Sequence, residues 1–83
     1  MILKLFTQQN CPRCPVAKKI VSSIESKVKV EQYDITTEDG LGEGLQYDVM
    51  STPSIIILNH DNEIVGEWRG ESPTIDQLNN VLK

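Results

Sequence analysis

Between residues 2 and 34 the chain changes its hydrophobic period twice, and that change constrains its architecture more than any other feature. Ile2-Leu3-Lys4-Leu5-Phe6-Thr7 is short, mostly apolar and β-compatible, which predicts a strand. Ala17, Ile20, Val21 and Ile24 then fall at i, i+3, i+4 and i+7, one apolar stripe of an amphipathic helix over Val16 to Ile24. Val28 to Asp34 alternates and predicts a half-exposed strand. Strand, helix and strand in that order form a βαβ unit, with two parallel strands and a right-handed crossover.

The rest of the chain extends this unit. Residues 38–47 predict a short, poorly autonomous helix on the spacing of Leu41 and Leu45. Gly40, Gly42 and Gly44 oppose it, each costing a helix roughly 0.8–1 kcal/mol relative to alanine. Ser51-Thr52-Pro53 breaks the chain. Ser54 to Leu58 is apolar on both faces, as a central strand should be. Asn59-His60-Asp61-Asn62 is turn chemistry, and Glu63 to Trp68 completes a hairpin, with Gly66 marking a bulge or a close neighbour. Ser72 as a cap and Pro73 at the first helical position predict a last helix striped by Ile75, Leu78, Val81 and Leu82. The fold class expected is α/β, with element order β-α-β-α-β-β-α in one domain over residues 1–83.

The only two cysteines stand at the first strand-to-helix junction, in Cys11-Pro12-Arg13-Cys14. A dithiol in that context points to redox chemistry. A structural disulfide is a weaker reading, because closing a loop of four residues stabilises by only about 2 kcal/mol. Zinc is also weak, since it wants four ligands and the chain adds only His60, in the hairpin turn. A two-cysteine copper carrier or an iron–sulfur cluster bridging two chains is the alternative from another class. In the redox reading Cys11 comes first, beside the exposed loop Thr7–Asn10, and is expected to attack. Its thiolate would gain from the positive helix N-terminus and from Arg13, while Cys14 resolves the mixed disulfide. Pro15 complicates the helix start. Either Pro12 opens the helix with Cys11 as its cap and an irregular first turn, or the regular helix begins at Pro15.

Charge is unevenly spread. Residues 1–30 carry six cations against Glu25, whereas residues 31–83 carry Arg69 and Lys83 against eleven acids, for a net charge of −4. The acidic total argues against nucleic-acid binding. The basic half surrounds the cysteines, either as a solvated helix face or as a surface that steers acidic protein partners. No apolar run approaches the roughly 18 residues of a membrane span, and a strand-like start leaves no room for a signal peptide. A cytoplasmic monomer without membrane attachment is the expectation.

These residues resemble the thioredoxin superfamily in its small, glutaredoxin-sized form over the whole length. The matching features are a strand, C-P-x-C opening a helix, T-P before a central strand, a hairpin and a closing helix. The resemblance implies a four-stranded mixed sheet of order 2-1-3-4 with helices on both faces. It implies that Pro53 is cis beside the dithiol and that the backbone of Thr52 pairs with a substrate strand. It further implies reduction of disulfides in protein substrates, recharging by a separate reductase, and no cofactor beyond the dithiol. Pro12 and Arg13 occupy the positions that tune the thiolate. The acid that thioredoxins bury six residues before the first cysteine is replaced by Leu5. C-P-R-C is closer to the C-P-Y-C of glutaredoxins, yet the loop before the motif lacks their basic residue. Trp68-Arg69-Gly70-Glu71-Ser72-Pro73 is similar to the W-S-G-F-R-P run of redoxins that serve ribonucleotide reductase, and small archaeal redoxins show a similar mixture. On that likeness Trp68 and Gly70 are candidate partner contacts. Glutathione-dependent turnover is the alternative activity. Among the remaining side chains, Tyr33 and Tyr47 are expected to pack with wet hydroxyls, and Lys18 to be solvated.

Overall fold

The computed structural model describes residues 1–82, so Lys83 lies outside the described residues. The elements are β1 (Ile2–Thr7), α1 (Cys14–Ser22), β2 (Lys29–Asp34), α2 (Glu38–Gln46), β3 (Ser54–Leu58), β4 (Ile64–Arg69) and α3 (Ile75–Val81). The strands form one sheet of order β2-β1-β3-β4. β1 runs parallel to β2 and antiparallel to β3, and β3 runs antiparallel to β4. This is a thioredoxin fold, with the element order and strand order that the sequence led us to expect.

Strand alternation divides the core in two. Leu3 and Leu5 of β1 and Ile55 and Ile57 of β3 point to one face, where Ala17 and Val21 of α1 and Leu78 of α3 cover them. Phe6, Ile56 and Leu58 point to the other face and meet Val49, Tyr33, Ile35 and Tyr47. Every residue of β3 is buried, as its two-faced apolar run required. In β4, Ile57 pairs with Gly66 and Leu58 with Ile64, which leaves Val65 as the extra residue of a bulge. Gly66 also lies under Trp68, whose ring atoms would stand 3.1 Å from any Cβ placed there.

α2 forms, but not with the inner face that its leucines suggested. Leu41 and Leu45 are exposed, and the buried positions are Gly40 and Gly44. A Cβ on Gly40 would come within 1.8 Å of the Asp34 carbonyl oxygen. That carbonyl is fixed from below, accepting from the Thr37 backbone N–H at 3.0 Å and the Thr37 hydroxyl at 2.7 Å. The Thr37 hydroxyl also caps the helix by accepting from the Gly40 N–H. Glycine lets the helix sit directly on the end of β2.

Two helix boundaries also differ from expectation. α3 is capped by Thr74 rather than by Ser72, and Pro73 lies buried outside the helix. The Thr74 hydroxyl accepts from the Gln77 N–H while the Gln77 side chain accepts from the Thr74 N–H, a reciprocal capping box. Ile75 accordingly faces outward, 46 % exposed. α1 ends at Ser22, two residues before the end of its stripe, and Ile24 reaches the core from the following turn.

The face under α2 encloses a charge. Lys4, between Leu3 and Leu5, is 8 % exposed. Its ammonium pairs with Glu43 of α2 and with Glu31, its register partner on β2, at 3.3 Å. It also lies 5.4 and 5.2 Å from the ring centres of Tyr33 and Tyr47. Burial pulls the Lys4 pKa down, but the hydrogen bonds to Glu43 and Glu31 outweigh it, so the net shift is upward. The Tyr33 hydroxyl donates to Glu31 at 2.8 Å, so it is not simply wet. That bond first, and Lys4 after it, hold the Glu31 carboxyl below its ordinary range against the effect of burial.

Candidate active site

β1 delivers the dithiol. The strand ends at Thr7, and the chain turns through exposed Gln8, Gln9 and Asn10. Asn10 has φ = 60°, a left-handed conformation that asparagine tolerates better than most side chains. Cys11 follows, half-buried, while Pro12 and Arg13 are exposed and Cys14 is only 3 % exposed. The two cysteines are joined as a disulfide, with Cα atoms 5.4 Å apart. The Cys14 N–H donates to the Cys11 carbonyl at 3.3 Å, closing a turn.

The helix start lies between the two forms the sequence left open. Arg13 is the N-cap residue, Cys14 the first helical residue and Pro15 the second. Pro15 costs no hydrogen bond there, because the first four N–H groups of a helix have no partner within it. Arg13 has no capping side-chain bond of its own. Its Nη2 instead donates to the Gly70 carbonyl at 2.8 Å.

β3 brings the second segment alongside. Phe6 pairs with Ser54, so the residue before β3 stands beside the end of β1 from which the dithiol loop grows. That residue is Pro53, fully buried, and the Thr52–Pro53 bond is cis. Thr52 is half-buried, and its Oγ1 is enclosed without a hydrogen-bond partner. Trp68 pairs with Ile55 across the sheet and packs against the larger core. Gly70, at φ = +76°, follows the end of β4.

Sequence reading missed Ser51 and Ser54. The Ser54 hydroxyl donates to the Ser51 carbonyl at 2.7 Å and accepts from the Gly70 N–H at 3.2 Å. Its signal was a lone polar residue at the head of a strand otherwise made of Ile and Leu. Nearby, Asp34 at the end of β2 accepts from the Thr36 hydroxyl and backbone N–H, which lower its pKa. His60 stands exposed in the β3–β4 turn, at the far end of β3 from Pro53. Among the described residues, no three His, Cys, Asp or Glu side chains converge as a metal site. No helix among them is long and apolar enough to cross a membrane.

Known proteins resemble this chain in sequence and in fold. A family model described as a thioredoxin domain matches residues 1–83. A thioredoxin of Methanocaldococcus jannaschii is 31 % identical over 83 residues, spanning 98 % of this chain and 91 % of that protein. A probable thioredoxin of Archaeoglobus fulgidus is 36 % identical over 59 residues, which span 69 % of this chain and 65 % of that one. Thioredoxin 1 of Thermosipho africanus superposes with a TM-score of 0.81 at 18 % identity, over 99 % of this chain and 90 % of its own. Its likeness, at that identity, is one of fold. The fold and the Cys11–Cys14 redox pair define a thiol–disulfide oxidoreductase. Within that class, the family match over the full length is decisive, and the chain belongs to the thioredoxin family.

Proposed function

We propose that the protein reduces disulfides in protein substrates, with Cys11 as the attacking sulfur and Cys14 as the resolving one. The observation that carries the assignment is the difference in access: Cys11 is half-buried, whereas Cys14 is 3 % exposed. In the reduced protein the Cys11 thiolate attacks one sulfur of a substrate disulfide. That S–S bond breaks, a mixed disulfide forms, and the released substrate thiolate takes a proton. Cys14, deprotonated, then attacks the Cys11 sulfur, and the second substrate thiol leaves protonated. Two electrons have passed to the substrate and the Cys11–Cys14 disulfide remains.

The positive end of α1 begins at Cys14, three residues beyond Cys11, and favours an anion near it. The pairing of Phe6 with Ser54 supports Thr52 and Pro53 as the segment beside the dithiol loop, where the backbone of Thr52 would pair with an extended substrate segment. The cations of residues 1–30 favour acidic partners. A separate reductase returns two electrons to the disulfide. The Trp68–Pro73 run supports ribonucleotide reductase as one recipient. The protein acts as a cytoplasmic monomer in a single domain.

The test is a comparison of substrates. With dithiothreitol as donor, the protein should reduce the disulfides of insulin. With glutathione as donor, it should turn over a glutathione mixed disulfide poorly. Robust glutathione-dependent turnover would overturn the thioredoxin-type assignment. The reduction potential offers a second check. A value near −270 mV, about that of thioredoxin, is expected, and one of about −200 to −230 mV would place the protein with glutaredoxins.

A further inference from the structure

The contact between Arg13 and Gly70 joins residues 57 apart in sequence. Both of its ends lie at the candidate active site. Arg13 stands between the two cysteines and caps α1, its carbonyl accepting from the Ala17 N–H at 3.3 Å. Gly70 is held from the other side. Its N–H donates to Ser54 Oγ at 3.2 Å, and Ser54 Oγ donates to the Ser51 carbonyl at 2.7 Å. Gly70 also lies so close to this segment that a Cβ would stand 2.7 Å from Ser51 Oγ. Gly70, its carbonyl accepting from Arg13 and its N–H donating to Ser54, therefore links the dithiol turn to the segment that leads into Pro53.

We infer that Arg13 is a positioning residue that fixes the dithiol turn relative to the Ser51–Pro53 segment, and so sets how well a protein disulfide docks. The inference rests on the reading that protein disulfides are the substrates and that the Thr52 backbone meets them. The same bond ties the dithiol turn to the Gly70 loop, so the Arg13 side chain acts on the placement of the sulfurs through geometry. A docked substrate segment must touch Thr52 and present its disulfide to Cys11 at once, so relative placement of the two loops matters. A small aromatic disulfide needs only Cys11 and is indifferent to that placement.

Arg13→Met removes the donor from an exposed position and keeps an unbranched side chain. With insulin as substrate, it should raise KM about five- to tenfold while kcat changes less than about twofold, the scale of one ordinary net hydrogen bond at an exposed position. The second-order rate with a small aromatic disulfide should fall less than about twofold. Gly70→Ala displaces the same peptide and should reproduce the rise in KM. The double variant should be no worse than the more affected single one, because both act through one chain of contacts. Circular dichroism and urea midpoints identify any variant that fails to fold, and either single variant suffices for the comparison. A shifted titration midpoint of the Cys11 thiol with unchanged KM would show that Arg13 acts on the sulfur by charge, and would overturn the inference. Multiplicative losses in the double variant would also overturn it. If the wild-type protein reduces the small disulfide but not insulin, the substrate reading itself fails and the inference falls with it.

Discussion

Replacing glycines of α2 by alanine, one at a time, should change stability with opposite signs within a single turn of helix. Gly42 has no atom within 4 Å of an added Cβ, so Gly42→Ala gains the helix preference of alanine, roughly 0.8–1 kcal/mol. At Gly44 the new methyl would lie 3.6 Å from Ile35 and 3.7 Å from Val49, ordinary contact distances, so a gain of about 1 kcal/mol is expected there too. Gly40 reverses the sign. Its Cβ would fall 1.8 Å from the Asp34 carbonyl oxygen, a backbone atom bonded twice to Thr37. Relief requires α2 to lift by more than roughly 1 Å, and overpacking of this kind costs about 3 kcal/mol or more. Less the alanine preference, Gly40→Ala should lose about 2 kcal/mol or more. Urea unfolding of the oxidised protein measures all three. In thermal melts each kilocalorie corresponds to about 4–8 °C for a domain of this size. A neutral or stabilising Gly40→Ala would refute the placement of α2 on β2. A destabilising Gly42→Ala would refute its exposure.

Other consequences are open to equally direct measurement. Lys4→Met leaves Glu31 and Glu43 without their cation. It should cost about 2–3 kcal/mol in urea unfolding at neutral pH, at or below the usual range for breaking a buried pair because both carboxylates keep some solvent. The Glu31 pKa is lowered on folding, so its contribution is present above the ordinary value of 4.5 and is lost as pH falls through the folded value. Stability should therefore drop on acidification below about 4.5, and less steeply in Glu31→Gln. The Lys4 pKa is raised, so its contribution is intact below 10.5 and fades only as pH rises through the folded value. Stability from this cluster should hence be level through neutral pH. Asn10 holds φ = 60°, so Asn10→Val should cost about 1–2 kcal/mol and Asn10→Gly very little. Thr74→Ala removes the α3 cap and should cost about 1 kcal/mol by the same unfolding assay.

Much of the fold was legible because period and punctuation agreed along the chain. The change from strand to helix to strand over residues 2–34 left few alternatives to a parallel pair. The unbroken Ile55-Ile56-Ile57-Leu58 run marked the strand buried on both faces. What misled were residues whose partners lie far away in sequence. Leu41 and Leu45 looked like the inner face of α2, but the surface it must approach is the backbone of Asp34, which admits only Gly40. Lys4 entered the sequence reading only as one of the six cations of residues 1–30, yet β1 is central and its second face is roofed by α2. The cap of α3 was readable, since Thr74 and Gln77 have capping-box spacing, but Ser72-Pro73 offered a competing start two residues earlier. At the candidate site, Cys11, Cys14, Thr52 and Pro53 could be named from motifs. The Arg13–Gly70–Ser54–Ser51 chain could not, because its links join loops that only the folded sheet brings together.

The most direct test of the central proposal, attack by Cys11 and resolution by Cys14, is mass spectrometry of single-cysteine variants. Each reduced variant is mixed with an oxidised protein disulfide and quenched with acid. Cys14→Ser should accumulate a covalent adduct through Cys11, equal in mass to the two proteins joined by one disulfide, because no second sulfur can release the partner. Cys11→Ser should form none. An adduct trapped on Cys14 in Cys11→Ser, with none in Cys14→Ser, would contradict the account.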